Sequence, residues 1–479
     1  MRPIRVLLRT GAIYTVATGV SSGGTLMLLL LAARFLGPGQ YGSLAVLLAI
    51  LEFGRIISRL GVGSGVFIAY MATPHPAVKE RIFASGFWTL SIAGAFVAGA
   101  WTVLAPIVGD AVLGGTPQVS AARALALAFF IDGAMTLGFS FLRVTQLAGG
   151  YLLVSIIKTG SVIGAALVLL SWASPEVEMF LWAEVSSVTL VGIVALVFLR
   201  DELRFAPSRE AIARVMAPSF PLLLTAIAGW AVAWSDRLLL ARFVPLAQIG
   251  EYEFASRVAS IFNVVVVAPF SLVWARSMFD VVAVPNEREV LSHFFTAFVT
   301  VLATAATILA LLGPDIVRLL GGRTASGGHD LIPILVAGNL CYALYYFWTF
   351  GPALANNATE YLGVTGLAGG LNIGLNLLLL PHFGVYGAAC TTVAAYAAMA
   401  ILMWWRCDRY RRVHYDWPRA GLYLGVCAVV AIVASSLSGT LALIAKVAVV
   451  VGALAWALVV VKSLMDLEAT LAVSEAGRT

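Results

Sequence analysis

The sequence predicts an all-α, polytopic membrane protein of about 14 transmembrane helices, arranged as two pseudo-symmetric six-helix bundles plus a C-terminal helix pair. Three observations predict it. Of 479 residues, 61% are apolar and 11% charged, with a mean hydropathy of +0.96, which leaves far too little polar surface for a soluble globule. Apolar runs long enough to cross a hydrocarbon core of about 30 Å, roughly 20 helical residues each, recur along the whole chain. The chain also repeats itself. Ala33-Arg34-Phe35-Leu36 with Gln40 and Gly42 returns 208 positions later as Ala241-Arg242-Phe243-Val244 with Gln248 and Gly250. Tyr151 through Leu170 lies over Tyr361 through Leu380 at an offset of 210, keeping nine of twenty residues.

The first span, 11–33, follows Arg2, Arg5 and Arg9. That start resembles a signal peptide, but a second span at 43–68 follows almost at once, so the first is expected to remain as an uncleaved helix. Spans 3 to 6 fall at 82–108, 121–142, 151–172 and 179–199. Ser208, in the linker that follows, is placed to cap a short surface helix. Spans 7 to 12 fall at 218–242, 250–274, 291–313, 331–352, 361–380 and 385–405, and spans 13 and 14 at 420–437 and 440–462. The repeat offset lays span 7 on span 1 and span 11 on span 5. The expected division is therefore a first bundle over 1–200, a linker over 201–217, a second bundle over 218–406 and an appendage over 407–479. Six spans per unit keep both halves in one orientation, so the repeat is parallel.

Lys and Arg in short loops set the orientation. With the N-terminus inside, the inner loops hold Lys79, Arg81, Arg143, Arg200, Arg204, Arg209, Arg214, Arg276, Arg288, Arg406, Arg409, Arg411, Arg412 and Arg419; the outer loops hold Arg34, Arg123, Arg242, Arg318 and Arg323. Both termini are expected in the cytoplasm. This bias explains the isoelectric point of 9.2 without nucleic acid as a partner. Cys341, Cys390, Cys407 and Cys427 lie within spans or at their inner edge and suggest no disulfide.

Charges inside spans cost about 2.5–3.5 kcal/mol each on insertion scales and call for a partner, water or a function. Span 2 carries Glu52, Arg55 and Arg59 at i, i+3 and i+7, on one helical face. Span 8 carries Glu251, Glu253 and Arg257, and span 7 carries Asp236 and Arg237, which at about 100° apart on a helix are not expected to pair with each other. Lys158 in span 5, Asp132 in span 4 and Glu184 in span 6 complete the set. At the 208 offset Arg55 faces Asn263, and Asp236-Arg237 faces Leu28-Leu29, so the charges break the symmetry that the scaffold keeps. Two readings stand. In one, Glu52 with Arg55 and Asp236 with Arg257 are buried pairs that join helices, and Lys158 snorkels to the interface. In the other, Arg55, Arg59, Arg257, Arg237 and Lys158 line a water-filled cavity that holds an anionic substrate, with Glu52, Asp132, Asp236 and Glu184 as counterions or proton sites.

Other patterns carry no chemistry. Gly61, Gly63 and Gly65 lack the strand of a phosphate loop and point to close packing; Asn372 and Asn376, one turn apart, read as interhelical bonding. His75, His293, His329, His382 and His414 have no metal-ligand spacing, and the Asn357-Ala358-Thr359 sequon falls in a loop expected to be cytoplasmic. No catalytic constellation is present, so neither an enzyme nor a bound cofactor or metal is expected.

Three stretches together carry a resemblance: Arg34 through Pro38 with Tyr41-Gly42 and Gly61; Asp236-Arg237 through Gly250-Glu251-Tyr252 to Pro269; and Asn372 through Asn376 with Pro381 and Gly384 through Ala389. Over roughly residues 10–405 the chain resembles the Wzx-like oligosaccharide and polysaccharide flippases of the multidrug/oligosaccharidyl-lipid/polysaccharide exporter superfamily. The resemblance implies two six-helix bundles around a central cavity that opens alternately to each side. It implies a lipid-linked oligosaccharide, usually on undecaprenyl pyrophosphate, as substrate, with membrane lipids and the polysaccharide polymerase and chain-length machinery as partners in a bacterial inner membrane. Arg55, Arg59 and Arg257 match the cationic cavity of such proteins. The chain departs from the related lipid II flippases in having no charge between Arg9 and Arg34. An antiporter for drugs or small solutes is the alternative transporter; a polymerase or glycosyltransferase is the alternative enzyme.

Overall fold

The computed structural model describes residues 2–113, 119–172, 175–281, 287–321, 327–355, 357, 359–436, 446–452 and 455–456. It is all-helical among these residues. The helices are α1 (Arg2–Phe35), α2 (Pro38–Arg59), α3 (Val62–Ala72), α4 (Pro76–Leu113), α5 (Val119–Val144), α6 (Ala148–Trp172), α7 (Val177–Leu199) and α8 (Arg209–Ala233). They continue as α9 (Ser235–Leu240), α10 (Leu246–Phe262), α11 (Ala268–Val281), α12 (Glu287–Leu320), α13 (Ile332–Trp348), α14 (Phe350–Leu354), α15 (Thr359–Tyr410) and α16 (Trp417–Ser436). Among the described residues ten helices are by themselves long and apolar enough to cross a membrane. The 52 residues of α15 carry spans 11 and 12, divided at Gly384, whose φ of 52° and ψ of −129° are non-helical. Span 13 is the shorter apolar helix α16, and span 14 lies mostly outside the described residues. The protein is a multi-pass membrane protein, and its described helices follow the predicted order through span 13.

Spans 2, 7 and 8, each expected to be continuous, are interrupted. Span 2 stops at Leu60 and Gly61, both left-handed with φ of 48° and 71°, and resumes as α3. At the 208 offset Gly61 falls on Pro269. A π-turn, Asn263–Val267, interrupts span 8 just before this proline. Span 7 breaks at Trp234, where φ of −136° and ψ of −21° separate α8 from α9. Ser208 does cap a helix, its side chain accepting from the Ala211 N–H at 3.1 Å. That helix is the 25-residue α8 and not a separate short one, because Pro218 and Pro221 are accommodated within it.

Contacts group the chain into two compact units that cut across the repeat. Unit 1 is Met1–Phe254, Leu320–Gly327 and Thr365–Thr391; unit 2 is Ala255–Leu319, Gly328–Val364 and Thr392–Thr479. In unit 1, α3 lies against α8 so closely that a Cβ on Gly61 would stand 2.3 Å from the Ser219 carbonyl, and one on Gly65 would stand 2.6 Å from that of Val215. Gly63 approaches α5, where Ser140 donates to its carbonyl at 2.7 Å. These glycines serve packing. The repeat-related Gly42 and Gly250 also meet each other: a Cβ on either would lie 3.0 Å from the other's nitrogen. In unit 2 the apolar core is aromatic, with Trp274 and Phe347 stacked at 4.9 Å and the Trp274 indole donating to the Phe347 carbonyl at 2.9 Å.

Candidate functional site

Five helices of unit 1 build one polar cluster. Glu52, Arg55 and Arg59 share a face of α2; α5 contributes Asp132, α6 Lys158, α7 Glu184 and α1 Ser21. Close approach makes the bonds short. Gly54 lets α2 lie against Phe129 of α5, since a Cβ there would fall 2.2 Å from the ring. Arg55 then bonds Glu52 at 3.0 Å and Glu184 at 2.9 Å, and its Nε stands 3.4 Å from Asp132. Arg59 grips Asp132 with a bidentate fork, Nε to Oδ2 at 2.5 Å and a terminal nitrogen to Oδ1 at 2.8 Å. Thr136, one turn from Asp132, donates to the same carboxylate at 3.3 Å. Asp132 is completely buried and thus shared between two guanidinium groups.

Exposure divides the two arginines. The Arg55 side chain is 6% exposed and surrounded by three carboxylates, whereas that of Arg59 is 32% exposed with one. Lys158 reaches α1, where Gly24 admits Thr159 and the Thr159 hydroxyl bonds the Val20 carbonyl at 2.8 Å; its ammonium donates to Ser21 at 3.4 Å. It points across the helix pair and does not snorkel along α6. Three cations and three carboxylates balance, so the cluster as a whole is neutral. Such an assembly is tolerated in a low-dielectric interior, where single ions are not.

A second cluster in unit 1 corrects one expectation. Asp236 and Arg237 do pair, at 2.7 Å. The break at Trp234 puts both in the first turn of α9, where Asp236 folds back to accept the Arg237 backbone N–H at 2.9 Å and the long Arg237 side chain curls onto it. Arg237 also bonds Glu253 at 2.9 Å and the Ala233 carbonyl at 2.7 Å. Asp236 takes Tyr252 as its other partner, so the expected pairing with Arg257 is replaced. Tyr252 went unrecognised as a partner because nothing in its spacing from Asp236 predicts contact across the turn between α9 and α10. Arg257 belongs to unit 2.

Asn372 and Asn376 join helices as expected. Asn376 donates to Asn372 at 2.9 Å, Thr391 to Asn376 at 2.7 Å and Ser235 to Asn372 at 3.4 Å, all fully buried or nearly so. In unit 2 the amide pair Asn263 and Asn339 bonds at 2.8 Å at the π-turn. The sequon is tied down as well, Asn357 donating to Tyr410 at 3.0 Å. Among the described residues no group of three or more His, Cys, Asp or Glu is arranged to hold a metal.

With this geometry in view, the protein has recognisable relatives. The sequence family described as "Polysaccharide biosynthesis protein" matches residues 31–323, more than half of the chain. The chain belongs to this family. It is similar to two Haloferax volcanii proteins. One is "Probable flippase AglR", 24% identical over 47% of this chain and 48% of that one; the other is "Probable low-salt glycan biosynthesis flippase Agl15", 21% identical over 77% of each. The first match thus spans about half of the relative's length. Among solved structures, the inward closed lipid II flippase MurJ superposes with a TM-score of 0.72 at 12% identity, covering 92% of this chain and 98% of that one. An inward-facing MATE multidrug transporter of the MOP superfamily gives 0.61 at 16%, covering 84% and 94%. At such identities the likeness is one of fold, the two-bundle fold of that superfamily.

Proposed function

We propose that the protein is a flippase, a transporter and not an enzyme, that carries an oligosaccharide linked to a polyprenyl diphosphate such as undecaprenyl diphosphate across a bacterial cytoplasmic membrane by alternating access. The observation that carries this reading is the unequal treatment of the cations in unit 1. Arg55 is committed to Glu52, Glu184 and Asp132, while Arg59 is one-third exposed on a carboxylate that Arg55 also faces. A diphosphate can therefore take the planar fork of Arg59 from Asp132, and Arg55 and Thr136 keep that carboxylate compensated. Lys158, held by one long bond to Ser21, adds a point charge from the α6 side. The substrate's charge is met by a change of partners, with no lone ion left in the hydrocarbon. The names of both Haloferax relatives support the same reading over drug antiport.

In this reading the two bundles, 1–200 and 218–406, are the moving halves, both termini lie in the cytoplasm, and the protein works beside the polymerase and chain-length machinery that use its product. Reconstituted protein should move a fluorescent polyprenyl-diphosphate disaccharide from the inner to the outer leaflet of liposomes, read as the fraction of dye open to a membrane-impermeant quencher. Liposomes that leave this lipid in place but expel a cationic dye would favour the antiporter.

A further inference from the structure

We propose that the uncharged face formed in unit 2 by Asn263, Asn339, Tyr342, Tyr346 and Tyr396 is a sugar subsite, which takes a pyranose ring of the lipid-linked oligosaccharide. This rests on the flippase reading. Asn339, Tyr342 and Tyr346 follow one another at i, i+3 and i+7 on α13 and so share one side of the helix. Tyr396 approaches from α15, its ring 5.0 Å from that of Tyr342 and tilted by 44°. The Tyr342 and Tyr346 rings meet edge to face at 5.1 Å. Their hydroxyls bond each other at 3.3 Å, and two hydroxyls that share one bond leave a proton uncommitted.

The amides continue the same face. Asn263 donates to Asn339, which donates to the Ala259 carbonyl at 3.0 Å, and the buried Asn263 side-chain carbonyl has no hydrogen-bond partner among the described residues. A buried acceptor in a membrane helix is costly unless something fills it. Tyr342, Tyr346 and Tyr396 are each half-buried against one another, on a face that continues into an amide pair. An aromatic belt turned to the lipid interface would not hold amides beside it. Rings for the C–H face of a sugar, with amide and phenol groups for its hydroxyls, suit a neutral carbohydrate.

The repeat supports the assignment. The 208 offset puts Asn263 on Arg55, and the 210 offset puts Tyr342 on Asp132 and Tyr346 on Thr136. Three positions of the first-half cluster are thus held in the second by an amide and two phenols, while Glu52, Arg59, Lys158 and Glu184 fall on Ser260, Val267, Ala368 and Ala394, so the second half keeps the polarity of the site without its charge. A diphosphate needs the first chemistry and a glycan the second, and the substrate class proposed above has both parts.

The test measures binding of two probes to the full-length protein in nanodiscs: a shortened polyprenyl diphosphate without sugar, and the same lipid bearing a neutral trisaccharide. Tyr342→Ala and Tyr396→Ala should each weaken the glycosylated probe about tenfold while the bare lipid stays within about twofold. Tyr342→Phe, which keeps the ring, should lose about threefold at most. Unchanged bare-lipid binding also shows that the variants are folded. Equal weakening of both probes, no weakening of either, or a wild type that gains nothing from the trisaccharide overturns the sugar site alone. A wild type that binds neither probe overturns the flippase reading and the sugar site with it.

Discussion

Replacing Arg55 by Met should unfold the first-half cluster more than it impairs substrate recognition. Arg55 supplies the hydrogen bond to Glu184, 4% exposed, and a second, longer contact of 3.4 Å to Asp132, which is fully buried. Its removal leaves Glu184 as a buried carboxylate without its hydrogen-bonded cation, and breaking a buried pair in this way costs about 3–5 kcal/mol. Glu52 is less affected, since at 32% exposure it can reach water. Thermal denaturation of the purified protein in detergent, read by intrinsic fluorescence together with membrane abundance, should show a lowered midpoint and yield. Glu184→Gln added to Arg55→Met should restore much of both, a coupling of about 0.5–3 kcal/mol in the double-mutant cycle. An Arg55→Met protein with unchanged midpoint and abundance that no longer transports would refute the reasoning and make Arg55 a substrate ligand.

Two further outcomes follow from local geometry. Gly61→Ala combines a left-handed backbone with a Cβ 2.3 Å from the Ser219 carbonyl and should cost about 2 kcal/mol or more, whereas Gly160→Ala, with nothing within 4 Å, should be neutral or slightly stabilising; the same thermal scan separates them. Burial, followed by the nearby charges of Glu80 and Asp201, raises the carboxyl pKa of Glu202, which lies in the loop between α7 and α8 outside the spans. A carboxyl raised on folding lends stability below its unfolded pKa and loses it as pH rises through the folded one, so Glu202→Gln should stabilise at pH 7 and gain less at pH 4. An equal effect at both values would remove the basis for that claim.

The span order was readable in the sequence because hydrocarbon thickness sets helix length and the repeat copies the pattern, so even the division of α15 at Gly384 falls between two expected spans. The face of Glu52, Arg55 and Arg59 was readable for the same reason, being a matter of 3.6-residue periodicity within one helix. The Glu52–Arg55 pair within that helix was readable too, but which cations take Asp132 and Glu184 was not. That depends on the axial register of α2 against α5 and α7, which glycine contacts such as Gly54 on Phe129 determine and no single-helix pattern records. The pairing of Asp236 with Arg237 was misjudged on the assumption of a continuous helix, and the break at Trp234 carries no proline or glycine to announce it. The tyrosine face of α13 escaped notice because uncharged residues in a span raise no desolvation alarm.

The central claim is that Arg59 and Lys158 hold the substrate diphosphate while Arg55 holds the protein together. Its most direct test is leaflet transport of the fluorescent polyprenyl-diphosphate disaccharide by an Arg59→Gln, Lys158→Met protein whose thermal midpoint matches the wild type. In a variant that meets this condition transport should fall by about tenfold or more. Transport at the wild-type rate by that stably folded variant would contradict the account and move the diphosphate away from this cluster.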